Sequence, residues 1–204
     1  MSQFRFRIPE LRDSPPREWL RVWAARYQSD DDLEYSELIA KHESLSATDY
    51  ERIGKWKDGV ETALQWRLNV TSVAYLIWME AAVALPRCPA ESDVESFLDS
   101  WSRKAYRDEY KSGSREKHFG LSRATTLLHF VSGGRFPIFD ARVRTAIFRL
   151  LGPPVPLNTV RWYLDSCCPL FAELAALCEA DDDVRILDKA LFSYGSFTAI
   201  AFSS

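Results

Sequence analysis

The chain has 204 residues, 47% of them hydrophobic, and is therefore long enough for one large domain or two small ones with a substantial core. It contains neither a run of twenty apolar residues nor a recognisable signal peptide, so we expect a soluble cytoplasmic protein and no membrane partner. The net charge of −3 is unfavourable for binding nucleic acid, unless the cations are concentrated in one part of the chain.

The cysteine and histidine patterns do not predict a metal site. Two of the four cysteines are adjacent, which makes them awkward disulfide partners, and no C-x-x-C pair occurs. We therefore expect reduced, buried thiols at Cys88, Cys167, Cys168 and Cys178. The histidines also lack the spacing of zinc ligands. They are His42, His118 and His129.

Short-range patterns predict helices for much of the N-terminal half. The alternating segment 4–8 is typical of a short strand, and prolines follow it. Helices are expected from near Arg17 and from the acidic run 30–32, and Ser46 with Asp49 forms the pattern of a capping box before a third. The residues expected to face the core are Trp19, Leu20, Trp23 and Tyr27, then Leu33, Leu38 and Ile39, then Tyr50, Ile53 and Trp56.

Further helices are predicted along the rest of the chain. One runs from about 60 to 85, another begins at Ser92 or Asp93, and a turn follows at 112–114. After a break at 152–154, helices are predicted over 157–167, 169–180 and 182–193, with Gly195 as a terminator. The predicted class is therefore nearly all-α, with one short N-terminal strand. The inward stripe of the helix that begins near 93 is Val94, Phe97, Leu98 and Trp101.

The segment 116–152 carries the strongest local signals. Phe119 and Gly120 form a glycine turn that opens a helix, and the helix is largely apolar from 124 to 133. Pro137 fixes its own φ and pushes the preceding residue toward extended geometry, so the next helix is expected to begin beyond it. Asp140 is a favoured N-cap residue for that helix. The core stripe of the helix is predicted to be Val143, Ala146, Ile147 and Leu150.

Asp140 is expected to be a carboxylate at the positive end of a helix dipole. Phe136, Ile138 and Phe139 are predicted to be buried around it. The dipole and nearby arginines favour the ionised carboxylate, whereas burial opposes it. The face of the helix away from the core carries Arg142, Arg144, Thr145 and Arg149.

The positive charge of the chain is concentrated in residues 101–150. This segment holds eleven Lys or Arg and four acidic residues, a net charge of +7, which leaves −10 for the remainder. A basic patch on an acidic body is the electrostatic pattern needed to bind phosphates. The simpler interpretation, a solvated helix face with ordinary surface cations, stays open.

The stretch from Glu116 to Gly152 resembles the helix-hairpin-helix superfamily of DNA glycosylases, which includes endonuclease III and the adenine, 8-oxoguanine and 3-methyladenine glycosylases. The shared signature is a glycine-bearing hairpin, an apolar helix, a short loop and a catalytic aspartate that opens the next helix. Gly120 matches the end of the hairpin, and Asp140 matches the aspartate. The segment 136–140, with Val143 and Arg144, is most similar to the adenine-glycosylase branch.

The resemblance implies an all-α fold with two lobes, one a helical barrel and the other formed by the N- and C-terminal helices together. We therefore expect a single two-lobed unit, with the hairpin and the catalytic aspartate in 112–151. His118 replaces the first hairpin glycine, so the turn must be rebuilt or longer. Ser122 occupies the position of the Schiff-base lysine of bifunctional members, and a serine cannot form an imine. The resemblance therefore implies a monofunctional enzyme.

Some relatives carry a four-cysteine iron–sulfur cluster near the C-terminus, but the cysteine spacing of this chain does not match it. We therefore expect no cofactor, apart from the monovalent cation that family hairpins often hold through backbone carbonyls.

The implied reaction is hydrolysis of the N-glycosidic bond of a modified or damaged base in double-stranded DNA, by a monomer. The sugar becomes oxocarbenium-like, and the Asp140 carboxylate would stabilise this charge and orient the attacking water. The base must leave the stack for a pocket with aromatic walls, and backbone N–H groups at a helix start can hold a phosphate. The residues expected to bind DNA are Lys117, His118, Gly120, Leu121, Ser122, Arg123, Arg135 and Arg142.

Other interpretations stay open at this level. Asp140 can be a helix N-cap and nothing more, and His118 can be a surface turn residue. His129 is expected to be a packed or partly exposed histidine and not a catalyst, and Glu80 would have a raised pKa if its apolar helix buries it. The alternative function is a catalytically inactive module that binds DNA or a partner protein. The sequence specifies neither the excised base nor a choice between repair and defence against modified phage DNA.

Overall fold

A computed structural model describes residues 15–27, 32–58, 74–85, 89–107, 116–180 and 184–200 of the chain. Only the backbone is described at 58, 74–76, 106–107, 116–117 and 197–200. The chain divides into two compact units, of which the first comprises 1–29 and 137–204 and the second comprises 30–136. The expected strand at 4–8, the turn at 112–114 and residues 60–73 of the helix expected over 60–85 lie outside the described residues.

The described part of the chain is helical except for one short antiparallel strand pair, so the predicted all-α class is confirmed there. The elements in chain order are α1 (Pro16–Ala24), α2 (Asp32–Ala40), α3 (Ala47–Asp58), α4 (Ala74–Ala84), α5 (Val94–Ser102), β1 (Ala105–Arg107), β2 (Glu116–His118), α6 (Gly120–Val131), α7 (Ala141–Leu151), α8 (Val160–Trp162), α9 (Cys168–Leu177) and α10 (Val184–Ile200). Single 3₁₀ turns at His42–Ser44 and Glu91–Asp93 follow α2 and precede α5.

The capping signals predicted for the second unit are confirmed. At the start of α3 the Asp49 carboxylate accepts the Ser46 N–H at 3.0 Å and its hydroxyl at 2.7 Å, while the Asp49 N–H donates to the Ser46 hydroxyl at 3.3 Å. Burial opposes ionisation, but these hydrogen bonds and Lys41 lower the pKa of Asp49 below its usual value. The capping box is therefore formed by an ionised side chain.

The predicted core stripe is confirmed in α5 and partly wrong for α1 and α2. Tyr27 lies beyond the end of α1 and is only half-buried. The four α5 residues expected to face inward are buried, as are Trp19 and Trp23 in α1. Leu33, however, is 76% exposed, and Tyr35 is buried in α2 instead. Leu33 was expected to face inward because it is the first apolar residue after the acidic start of the helix. The buried stripe instead runs through Tyr35 and Leu38, and Leu33 lies on the solvent side of it.

The predicted break between the helices at 157–167 and 169–180 is wrong. Tyr163–Cys167 forms a π-helical turn that joins α8 directly to α9, with Pro169 in the first turn of α9. A proline has no N–H to donate, and in a regular α-helix its ring contacts the carbonyl four residues earlier. The wider π turn accommodates the proline without ending the helix.

Gly195 does not terminate a helix, which corrects the sequence prediction. Helix α10 continues to Ile200, and Gly195 lies where α10 packs on the first turn of α7. A β-carbon at position 195 would lie 1.9 Å from the carbonyl oxygen of Arg142. Glycine is therefore required for close backbone approach, and not for a positive φ.

The thiols of the described cysteines are free, as predicted, with Cys167 and Cys178 buried and Cys168 half-buried. Burial raises the pKa of Cys168 and of Cys178 to about 11, so both remain thiols at neutral pH. Cys88 lies outside the described residues. Within the helices that the structure describes, none combines the length and apolar character needed to cross a bilayer.

We expect Gly195→Ala to destabilise the protein by about 1–3 kcal/mol, because the added methyl must displace the Arg142 carbonyl. In an exposed helix the same change stabilises by about 1 kcal/mol, so the sign of the effect distinguishes packing from helix propensity. Urea unfolding monitored by circular dichroism measures it. The control is Ser196→Ala on the next position, for which a change within about 0.5 kcal/mol is expected. Equal or greater stability of Gly195→Ala would contradict the close approach.

Candidate active site

Asp140 is the N-cap of α7, as the sequence predicts. Its backbone is extended, with φ −117° and ψ −177°, and its Oδ1 atom accepts the N–H groups of Arg142 at 2.9 Å and Val143 at 3.0 Å. The side chain is half-buried. A carboxylate held by two backbone donors at a helix N-terminus has a defined orientation and a favourable helix dipole.

The segment before Asp140 is held by the π-helical turn of the same unit. The Tyr163 hydroxyl donates to the Pro137 carbonyl at 2.7 Å, and both groups are buried. The Phe139 ring stacks on Trp162 with centroids 5.5 Å apart and lies 5.8 Å from the ring of Tyr163. Burial raises the pKa of Tyr163 well above its ordinary value, so its hydroxyl remains a donor.

The aromatic surroundings predicted for Asp140 are confirmed in part. Ile138 and Phe139 are buried, at 3% and 0% exposure, and so is the α7 stripe. Phe136 is only half-buried, which corrects the prediction for that ring. It precedes the proline and belongs to the second unit, whereas the residues from Pro137 onward belong to the first.

Arg142 is exposed beside Asp140 in the first turn of α7. Its guanidinium lies 4.4 Å from the centroid of the Phe192 ring on α10. Stacking on an aromatic face holds the guanidinium plane, while the N–H groups at its edge can still bind an anion. Arg142 therefore remains a candidate phosphate ligand.

The glycine turn of the second unit follows a pair of short antiparallel strands. Helix α5 ends at Ser102 and α6 begins at Gly120, and the paired strands β1 and β2 lie between them. The pairing continues with a hydrogen bond from the Phe119 N–H to the Lys104 carbonyl at 2.9 Å. Gly120 has a φ of +85°, which requires glycine. His118 ends β2, two residues before Gly120.

The residues expected to bind phosphate lie at the start of α6. His118 is exposed, and its Nδ1–H donates to the Arg103 carbonyl at 3.2 Å. Gly120 and Ser122 are half-exposed, whereas the side chain of Leu121 is buried, so only its backbone N–H can serve a ligand. Lys117 is described by its backbone alone.

Arg123 and Arg135 are each held by groups of the second unit. Arg123 donates to the Phe119 carbonyl at 3.4 Å. The Arg135 side chain is 53% exposed, lies 4.0 Å from the Glu91 carboxylate and donates to the Ser132 carbonyl at 3.3 Å. Solvent-exposed contacts of this kind are weak, and a phosphate can replace them.

His129 is a buried polar residue on α6. His129 is fully buried; its Nδ1–H donates to the Phe136 carbonyl at 2.6 Å, and its Nε2 accepts the Tyr35 hydroxyl at 2.7 Å. A carbonyl only accepts, which fixes this tautomer. His129 is therefore the packed histidine that the sequence predicts, and it holds the loop that leads to Phe136.

The apolar helix α4 does not bury Glu80. Glu80 is 53% exposed and forms an ion pair with Lys104. The basic segment 101–150 is likewise partly compensated, since Arg103 pairs with Asp99 at 3.1 Å. Within the described residues, no group of three or more His, Cys, Asp or Glu side chains could hold a metal ion.

The predicted site residues fall in both units. Asp140 and Arg142 belong to the first unit, whereas the other seven belong to the second. Sequence reasoning missed Tyr163, Trp162 and Phe192, which hold Asp140 and Arg142 from elements distant in the chain. No local signal marks these three. No family model, no curated protein and no solved structure matches this chain.

The capping role of Asp140 can be tested by stability measurements. Asn is as good an N-cap as Asp. We therefore expect the free energy of unfolding of Asp140→Asn to lie within about 0.5 kcal/mol of the wild-type value. Asp140→Ala leaves the Arg142 and Val143 N–H groups without this acceptor. Its free energy of unfolding should therefore be lower by about 1 kcal/mol. Chemical denaturation measures both. Equal losses for the two variants would contradict the cap geometry.

We expect Tyr163→Phe to lower the free energy of unfolding by about 1–3 kcal/mol, because the buried Pro137 carbonyl loses its hydrogen-bond donor. It should also speed amide exchange in the segment 138–143, read by mass spectrometry of peptides from this region. The matched control is Tyr50→Phe, which removes a comparable bond, 2.6 Å long, to the Leu85 carbonyl in the second unit. The idea that Tyr163 fixes the Asp140 segment is wrong if the two variants give the same exchange there.

Proposed function

We propose that this protein is a monofunctional DNA glycosylase that uses Asp140 as its catalytic carboxylate. The observation that supports this most directly is the placement of that carboxylate. It is half-buried at the N-terminus of α7, oriented by two backbone donors and preceded by a packed segment that contains Phe139. This is the position in which the resembling glycosylases carry their catalytic aspartate.

The chemistry needs a fixed negative charge near the sugar. As the bond between base and deoxyribose breaks, positive charge develops on the ring, and a pre-oriented carboxylate stabilises it without reorganisation. Both backbone donors bind Oδ1, so the direction of the carboxyl group is set before the substrate arrives. The same group can orient the attacking water. Ser122 in place of a lysine supports hydrolysis without a Schiff-base step.

DNA would be held by the start of α6 and by the cations of the site. The backbone N–H groups of Gly120, Leu121 and Ser122 open a helix of twelve residues, where the dipole favours a phosphate. A monovalent cation at the rebuilt turn would be held by backbone carbonyls. The partner is duplex DNA with a modified or damaged base, and the role is repair or defence against modified phage DNA.

The division of the chain is also in keeping with this proposal. The first unit combines the N-terminal segment with the C-terminal helices, and the second is formed by the intervening residues. The resemblance implies the same partition into two lobes. A shared fold does not by itself imply a shared function, because function depends on the residues of the site.

A binding module without catalysis is the second candidate. It is favoured by one observation, namely that the N-cap hydrogen bonds give Asp140 a sufficient structural reason to be present. Such a module would use the same cations to bind DNA, or would bind a protein partner.

We expect the wild type to release a free base from at least one DNA in a panel of genomic DNAs that carry different modifications, read by mass spectrometry. Asp140→Asn should lower the rate about 100-fold or more while duplex binding is retained, because the fixed charge is lost and the cap is not. Asp165→Asn removes an exposed carboxylate of the same unit, paired with Arg161, and should change nothing.

Borohydride should trap no covalent complex with abasic DNA, since Ser122 cannot form an imine. An unchanged rate in Asp140→Asn would remove the proposed catalyst. Binding to DNA without base release across the whole panel would favour the inactive module, and binding that is absent or insensitive to salt would point to a protein partner.

A further inference from the structure

We propose that the first unit carries a second phosphate-binding surface, formed by Arg26, Lys189 and Arg142 on the rings of Trp23, Tyr27 and Phe192. We call these six residues the cationic face. Its ligand is the sugar–phosphate backbone of a nucleic-acid strand. Two of its cations, Arg26 and Lys189, lie outside the basic segment 101–150 and were not selected by the sequence.

The cations of this face are placed by aromatic rings. The Arg26 guanidinium is 4.2 Å from the centroid of the Trp23 ring, and the Lys189 ammonium is 5.5 Å from that of Tyr27. Arg142 lies 4.4 Å from the Phe192 centroid. Cation–π contacts of this length limit the rotamers of long side chains, so less entropy is lost when a phosphate binds.

Two rings connect Arg142 with Lys189. Tyr27 and Phe192 meet edge to face with centroids 5.4 Å apart. Trp23 lies near the end of α1, four residues before Tyr27. Helix α10 packs on both α1 and α7, which brings the three elements together. Arg142 is therefore joined to Lys189 through two touching rings.

The charge of these elements is strongly positive. Helices α1, α7 and α10, with Arg26, contain eight Lys or Arg and two acidic residues, Glu18 and Asp188, while four aspartates directly precede α7 and α10 in the sequence, at 140 and 181–183. Asp188 is used internally, since it pairs with Arg185 at 2.8 Å and both side chains are about 10% exposed. Arg185 also lies 4.9 Å from the Tyr27 centroid, but it is not counted in the face because its side chain is largely buried. A concentration of positive charge of this kind favours a polyanion.

The arrangement fits phosphates better than bases or a lipid surface. Trp23 is 8% exposed, and the cations cover the faces of the rings, so the aromatics are not available to stack on bases or to enter a bilayer. Arg26 and Arg142 are exposed. Arg142 also lies two residues after Asp140, the proposed catalytic residue. The choice of nucleic acid over other polyanions therefore rests on the proposed function.

The test is the salt dependence of binding to an undamaged fluorescent duplex, measured by anisotropy. Each lost phosphate contact reduces the slope of log K against log salt by about 0.9. We therefore expect Arg26→Gln/Lys189→Gln to reduce the magnitude of the slope by about two, with unchanged circular dichroism. Lys189→Arg keeps the charge over Tyr27 and should retain the wild-type slope.

The matched control is Arg17→Gln/Arg161→Gln, which removes the same charge from the same unit. Arg17 pairs with Glu179 at 3.0 Å and Arg161 pairs with Asp165 at 3.2 Å, and neither belongs to the cationic face. Its slope should match the wild type. An equal change in both double variants would mean that net charge alone acts, and would overturn the proposal.

The outcomes also separate this inference from the proposed activity. Base release with no change of slope in Arg26→Gln/Lys189→Gln would overturn the cationic face and leave the glycosylase proposal intact. A reduced slope without base release from any DNA would support the face and remove the activity. Binding to phosphatidylserine vesicles but not to the duplex would overturn the face as a nucleic-acid surface.

Discussion

The close approach of α10 to α7 at Gly195 is the constraint on which the candidate site depends. The position of the Arg142 carbonyl leaves no room for a side chain at 195, so the first turn of α7 is held directly against the backbone of α10. That turn begins with Asp140, and the same contact brings Phe192 beneath the Arg142 guanidinium. One missing β-carbon therefore determines the position of both the carboxylate and the nearest cation.

Asp140 combines a structural and a candidate chemical role in one carboxyl group. The hydrogen bonds that cap α7 are those that orient the group, and the Tyr163 hydroxyl holds the backbone three residues earlier. Pre-organisation of this kind is what transition-state stabilisation needs. Helix capping needs only the acceptor, which Asn also provides. The negative charge is thus the property that distinguishes the two roles.

The positive charges of this protein are concentrated in particular elements, although the chain as a whole has a negative net charge. The net charge of −3 is unfavourable for a polyanion, but the cations are distributed unevenly between elements. In the second unit several cations are compensated by nearby acids, as Arg103 is by Asp99 and Arg135 by Glu91. In the first unit, α1, α7 and α10 gather cations from distant parts of the chain over a shared aromatic layer. Screening by salt makes such local arrangements more important than the total charge.

By itself the sequence determined the features that depend on residues close together in the chain. These are the capping box at Ser46, the start of α7 at Asp140, the core stripes of α5 and α7, and the all-α class. These follow from hydrogen bonds and periodicities within a few residues. Only the tertiary structure decided that Gly195 is a packing contact, that a π turn carries Tyr163 to Pro137, and that Lys189 lies over Tyr27. The physical reason is that each of these joins groups far apart in the chain, and local propensities carry no information about which distant surfaces will meet.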